Sequence, residues 1–113
     1  MSEELEPEEQ REQQLRQEYG WLYDRLLELL FEHDPAQLAA LGAPKDEYSV
    51  EVDEFLPLLK EIPSPAMVSQ VLYQVFAHMF DEQMMAPRRA MFDPLAEEIW
   101  MVYQSWHDES VKE

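Results

Sequence analysis

Three histidines stand beside carboxylates in this chain. His33 precedes Asp34, His78 is followed by Asp81 and Glu82 three and four residues on, and His107 precedes Asp108. An imidazole with two carboxylates on one helix face has the donors to touch a divalent metal. Metal sites between packed helices, however, take ligands from several helices and repeat a Glu-x-x-His pattern, and this chain has neither that repeat nor an H-E-x-x-H. His33 is therefore expected to pack at a helix end. The functional alternative is a base or ligand sharing a site with Asp46 or Glu47. His78 reads as part of a solvated face. The serines offer little for nucleophilic catalysis. Ser49 and Ser64 are placed as helix caps, Ser69 and Ser105 within helices, and Ser2 and Ser110 near the termini. There is no G-x-S-x-G turn, and Gly20 and Gly42 alone cannot build a phosphate-cradling loop. With no cysteine, thiolate metal sites, disulfides and a Cys nucleophile are excluded. The expectation is a protein that is not an enzyme and uses no cofactor and no metal.

Charge carries more information. Twenty-five Asp and Glu residues oppose eight Lys and Arg, a formal net of −17. Holding a nucleic-acid backbone requires surplus cations to neutralise phosphates, so a direct nucleic-acid ligand is excluded, as is an anionic membrane surface. The balance favours a basic protein partner. Removing the first eighteen residues still leaves eighteen acids against six bases, so the body of the chain is acidic in its own right. Asp24, Glu28 and Glu32 form an i,i+4 row on the first strong helix. Its charges lie about 6 Å apart along the axis, against about 3.4 Å on one DNA strand. That is too sparse for a DNA mimic alone, although rows on two helices could combine. Asp46 and Glu47 add two carboxylates in a loop. Arg88-Arg89 is the only adjacent basic pair and reads either as internal ion pairing that docks the last helix or as an anion or partner contact. Asp24, Glu28, Glu32, Asp46, Glu47, Arg88 and Arg89 are the candidate partner-binding residues.

The elements that must position these groups are helical. A chain of 113 residues is one ordinary domain, and 46% apolar residues supply a core that disordered acidic chains lack. The expected fold is all-α: a bundle of four main helices plus a short one, joined by short loops. Residues 1–14 read as an acidic, flexible lead-in, either frayed or helical from Pro7 onward because Pro is tolerated at a helix start, 15–107 as the domain, and 108–113 as a frayed end. Leu15, Tyr19, Leu22, Leu26, Leu29 and His33 form one helical stripe, apolar nearly all round between Leu26 and Phe31. Gly20 lies inside it, marking a close approach or a break. Asp34-Pro35 ends this helix and begins a short one that Gly42 stops. A loop follows, with Ser49 expected to cap a helix over 50–61 that Pro57 kinks or divides. Ser64-Pro65 opens the next helix, lined by Val68, Leu72, Val75, Phe76, Met79 and Phe80. Residues 81–87 read as a loop carrying Met84 and Met85. A last helix uses Phe92, Leu95, Ile99, Val102, Tyr103 and Trp106. Met79 is expected in the core rather than on an adaptable binding surface. No apolar run is long enough to span a membrane, and the acidic start is unlike a secretory leader, so the expected location is the cytoplasm.

His33-Asp34-Pro35, Gly42-Ala43-Pro44, Asp46-Glu47-Tyr48, Glu51 and Leu56 resemble a family of small bacterial all-helical proteins. In that family a [WH]-D-P turn is followed at similar spacing by a D-E-Y loop. Leu72, Phe76 and Phe80 match its later aromatic stripe, and the resemblance covers Leu26 to Trp100. It implies chiefly a fold, since no activity defines the family; some members look similar to immunity proteins found beside toxins. The acidic lead-in is an extension outside that pattern. The residues themselves explain the motif structurally. Asp34 caps, Gly42 permits a left-handed stop, and Glu51 lies in the first turn of its helix, where negative charge is favoured. Tyr48 buries its ring while its hydroxyl reaches a backbone group. The resulting expectation is an acidic protein-binding module, immunity- or antitoxin-like. A DNA mimic that occupies a nucleic-acid-binding protein, a metal-assisted enzyme and a self-associating structural domain are the alternatives.

Overall fold

Helices begin where an acceptor or a proline permits. The computed structural model describes residues 6–111. Within them α1 runs Pro7–Tyr19, α2 Trp21–His33, α3 Ser49–Leu59, α4 Pro65–Phe80, α5 Glu82–Met85 and α6 Phe92–Val111. Short 3-10 segments occupy Ala39–Leu41 and Ala86–Met91. The described chain is all-helical, with no strand. No described helix is long and apolar enough to cross a membrane.

Of the two readings of the 1–14 lead-in, frayed or helical from Pro7 onward, the helical one describes the chain from Pro7; residues 1–5 lie outside the described part. Pro7 supplies the preset φ of a first helical residue. The Glu6 N–H donates to Glu9 Oε1 at 3.1 Å. Arg16 pairs with Glu12, and Arg11 reaches Glu54 on α3 at 3.2 Å. These contacts, with Leu15 and Tyr19 buried at the far end, hold a segment that looks merely polar in sequence. At the other end α6 continues to Val111. Trp21 Nε1 donates to Glu109 there at 3.3 Å.

Gly20 is a break. Its φ of 57° and ψ of −129° separate α1 from α2, a conformation costly for any side chain bearing a Cβ. The stripe across it survives: Leu15, Tyr19, Leu22, Leu26 and Leu29 are all buried. Pro57 does not divide α3, which runs two residues beyond it. Near the end of the helix, only the Asp53 carbonyl loses its i+4 donor to the proline, so the cost is limited. Ser49 is the first residue of α3 rather than its cap, and Tyr48 takes the capping position. Ser64 caps as expected, accepting from the Met67 N–H at 3.3 Å. Residues 81–87, expected as a loop, are mostly helical. Asp81 takes a positive φ and accepts from the Gln83 N–H at 2.9 Å, ending α4 and starting α5.

The core lies between α2, α3, α4 and α6. Phe76 is its hub, with the rings of Tyr48, Phe80 and Phe92 at 5.6, 5.5 and 5.3 Å. Leu22, Leu26, Leu29, Val52, Leu56, Leu72, Leu95 and Ile99 close round this group. Burying each such side chain contributes about 1.5–3 kcal/mol. Met85 is fully buried, Met79 is half-buried, and Met84 remains exposed.

Candidate functional site

The turn after α2 shapes an acidic hollow that gathers four of the candidate residues. Asp34 adopts a left-handed conformation at φ 50° and ends α2, its N–H returning to the Leu30 carbonyl. Its carboxylate then collects donors from the chain that doubles back. It accepts from the Ala39 and Ala40 N–H groups at 2.9 and 3.0 Å and from the Tyr48 hydroxyl at 2.6 Å. Tyr48, fully buried, accepts in turn from the Ala36 and Leu38 N–H groups at 3.2 and 3.4 Å. Gly42, at φ 95°, reverses the chain after Ala39–Leu41. Burial alone would raise the Asp34 carboxyl. The Tyr48 and backbone donors prevail and hold it below its ordinary value, while burial and Asp34 together push the Tyr48 hydroxyl well up.

This turn lays the 43–48 loop beside α2. Asp24, Glu28 and Glu32 from α2 and Asp46 from the loop border a groove of about 700 Å³. Leu27 and Phe31 form its apolar floor, and Lys45 adds one cation. Four of the seven candidate residues are thus brought together. The row is not bare charge, however. Arg16 is hydrogen-bonded to Asp24, and Arg25 reaches Glu28 at 3.0 Å and Glu32 at 3.8 Å. Burial lowers the Arg16 guanidinium's hold on its proton, but Glu12 and Asp24 outweigh it and the net shift is upward.

The other candidates lie elsewhere. Glu47 is exposed but does not line the groove. Arg88 donates to the Pro35 carbonyl at 3.1 Å and to Gln37 Oε1 at 3.0 Å. Arg89 donates to Ser69 Oγ at 2.7 Å, pairs with Asp93 at 3.4 Å and lies 5.2 Å from the Tyr73 ring centre. Both guanidiniums are engaged within the molecule. The internal reading of this pair is the one realised.

The histidines stand apart from the groove: His33 ends α2 and His78 lies on an exposed face, as expected. His33 Nε2 lies 2.6 Å from Glu98 on α6, not beside Asp46 or Glu47. His78 is exposed on α4, where it borders a smaller hollow of about 200 Å³ with Glu54, Leu58, Val71 and Met79. Because α4 ends at Phe80, Asp81 and Glu82 do not continue its face. His107 packs on the Tyr103 ring at 5.9 Å. Among the described residues, no three His, Asp or Glu side chains converge to hold a metal ion.

Sequence reasoning missed the apolar floor. Leu27 and Phe31 stand one helical turn apart between the acidic positions, so that signal was available. It also missed two buried carboxylates on α3. Asp53 accepts from the Tyr23 hydroxyl at 2.6 Å and is raised by burial, which that bond partly offsets. Glu51 is buried and pushed up to about 7 by burial, with Glu47 and Asp53 adding to the shift. No family model matches the chain, and neither curated proteins nor solved structures include a significant match.

Proposed function

We propose that this protein is a non-enzymatic binding module whose groove between α2 and the 43–48 loop receives a basic segment of another protein. The carrying observation is the convergence of Asp24, Glu28, Glu32 and Asp46 round an apolar floor of Leu27 and Phe31. Carboxylates on the rim steer a cationic partner and select against acidic ones, and the floor gives apolar anchors a place to desolvate. In this reading the packed helices α2, α3, α4 and α6 act as a bundle that holds the groove open.

The class of partner follows from the chemistry. A small acidic protein with a carboxylate-rimmed groove suits neutralisation of a basic toxin such as a nuclease, an immunity- or antitoxin-like role in the cytoplasm. The resemblance at His33-Asp34-Pro35 and Asp46-Glu47-Tyr48 points the same way. A DNA mimic is less well supported, because Arg16 and Arg25 interrupt the acidic row. The test is binding of the neighbouring gene product at low and high salt, with Glu28→Lys/Glu32→Lys as the altered groove. Charge reversal and high salt should each weaken binding by about tenfold or more. Binding that is absent, or indifferent to both changes, defeats the reading.

A further inference from the structure

Glu51 is out of place for an acid. It lies in the first turn of α3 with 5% of its surface exposed. Among the described residues, its Oε1 is the only buried side-chain oxygen or nitrogen with no hydrogen-bond partner. A buried carboxylate with one oxygen left without a donor carries a heavy desolvation cost, whereas the neutral acid at the same place carries far less.

The surroundings offer no relief. The charges that bear on Glu51 are Glu47 from the preceding loop and Asp53 from its own helix, both negative, against a single favourable contact from its own backbone N–H. From α1, Glu12, Arg11 and Arg16 bear on Asp53 instead, and Tyr23 of α2 is bonded to that same Asp53. The ionisable groups of α4 are Tyr73 and His78, and His78 is exposed. No cation among the described residues faces Glu51.

We propose that Glu51 is a protonation latch: the closed start of α3 holds it as the neutral acid, and loss of its proton to solvent drives the side chain out and loosens the first turn of α3 with the adjoining 43–48 loop. Geometry makes the loop the part that yields. Glu51 follows Tyr48 by three residues, and the Val52 N–H donates to the Tyr48 carbonyl across that turn. Lys45 and Asp46 in the same loop form one wall of the acidic groove. Opening the latch therefore withdraws that wall. This consequence for a partner rests on the groove reading above, but the latch itself does not.

The direction with pH follows from the placement. The carboxyl is held above its ordinary 4.5 in the folded protein, at about 7. Its contribution to stability is complete below the ordinary value and is lost as pH rises from there through the folded value.

The test uses the full chain. A carbon-detected NMR titration of the Glu51 carboxyl should give a midpoint near 7. Amide exchange at residues 45–52, corrected for the intrinsic pH effect and referred to α4, should speed by about tenfold or more between about pH 5.5 and 8.5. Glu51→Gln should abolish that change, since the neutral amide no longer ionises. His33→Gln should leave it intact, which separates the latch from the His33–Glu98 pair. A midpoint in the ordinary carboxylate range overturns the proposal without the need for any variant. So does an unchanged exchange profile in Glu51→Gln, or loss of the profile in His33→Gln. None of these readouts needs a partner. A failed titration therefore removes the latch alone, and salt-insensitive binding removes the groove alone.

Discussion

Asp34 and Glu51 are two shielded carboxylates at opposite ends of one stretch of chain, and they are treated in opposite ways. Asp34 has three donors within 3.0 Å, from Ala39, Ala40 and Tyr48. Glu51 has an oxygen with none. Desolvation acts upward on both carboxyls, yet Asp34 ends below its ordinary value and Glu51 well above it. Burial alone therefore does not decide the direction for these two acids; the N–H and O–H groups supplied to each weigh against it.

The sharpest way to break this contrast is to remove the satisfied acid. Asp34→Ala leaves two N–H groups and the Tyr48 hydroxyl without their acceptor and should lower stability by about 3 kcal/mol, read from urea unfolding. Tyr48→Phe removes the hydroxyl but keeps the ring against Phe76. Its expected cost is about 2 kcal/mol by the same assay. A loss near zero for both variants would mean that the Asp34 network merely decorates the turn. Glu51→Gln should do the reverse. We expect a gain of about 1–2 kcal/mol near pH 8 and almost none near pH 4, because the wild-type acid is already neutral there. The pH slopes of the two sites also oppose. Stability owed to Asp34 is present above its ordinary value of 3.8 and is lost as pH falls through its lowered folded value. Stability owed to the neutral Glu51 is present at low pH and lost on the way up. The smallest effect belongs to His33→Gln. Its Glu98 partner is half exposed, so the loss should be about 0.5 kcal/mol and should shrink at high salt. A larger loss would show that this pair, and not the Asp34 turn, anchors the end of α2.

Much of the fold is legible in the residues, for identifiable reasons. The stripes of α2, α4 and α6 repeat at helical spacing with large apolar side chains, and burial follows them from Leu22 to Leu29, from Val68 to Phe76 and from Phe92 to Ile99. Local chemistry marked Ser64, Asp34 and Gly42 as boundaries, and the buried Tyr48 with its bonds to backbone N–H groups was readable from its place in the loop. What failed depends on distant partners. The polar face of α1 gives no hint that Arg11 will find Glu54, and residues 81–87 show no helical stripe because α5 is a single turn. In the groove, the α2 row and Asp46 could be picked out as acids. Their meeting depends on how the Asp34 turn aims the loop, which periodicity does not encode. For Arg88 and Arg89 internal pairing was legible as a reading, but its partners Pro35, Gln37, Ser69 and Asp93 were not, since only the fold supplies them. Glu51 looked well placed because its helix dipole is favourable, and only the packed neighbours show that its outer oxygen meets no donor.

Arg88 has a bearing on how the chain assembles in time. Its bond to the Pro35 carbonyl joins residues 53 apart in sequence, and it can close only after the α4–α6 half has docked against α2. Contacts that close such long loops form late, on the native side of the folding barrier. Arg88 should therefore act as a fastener on the finished molecule. Its removal should quicken unfolding several-fold while the rate of refolding hardly changes.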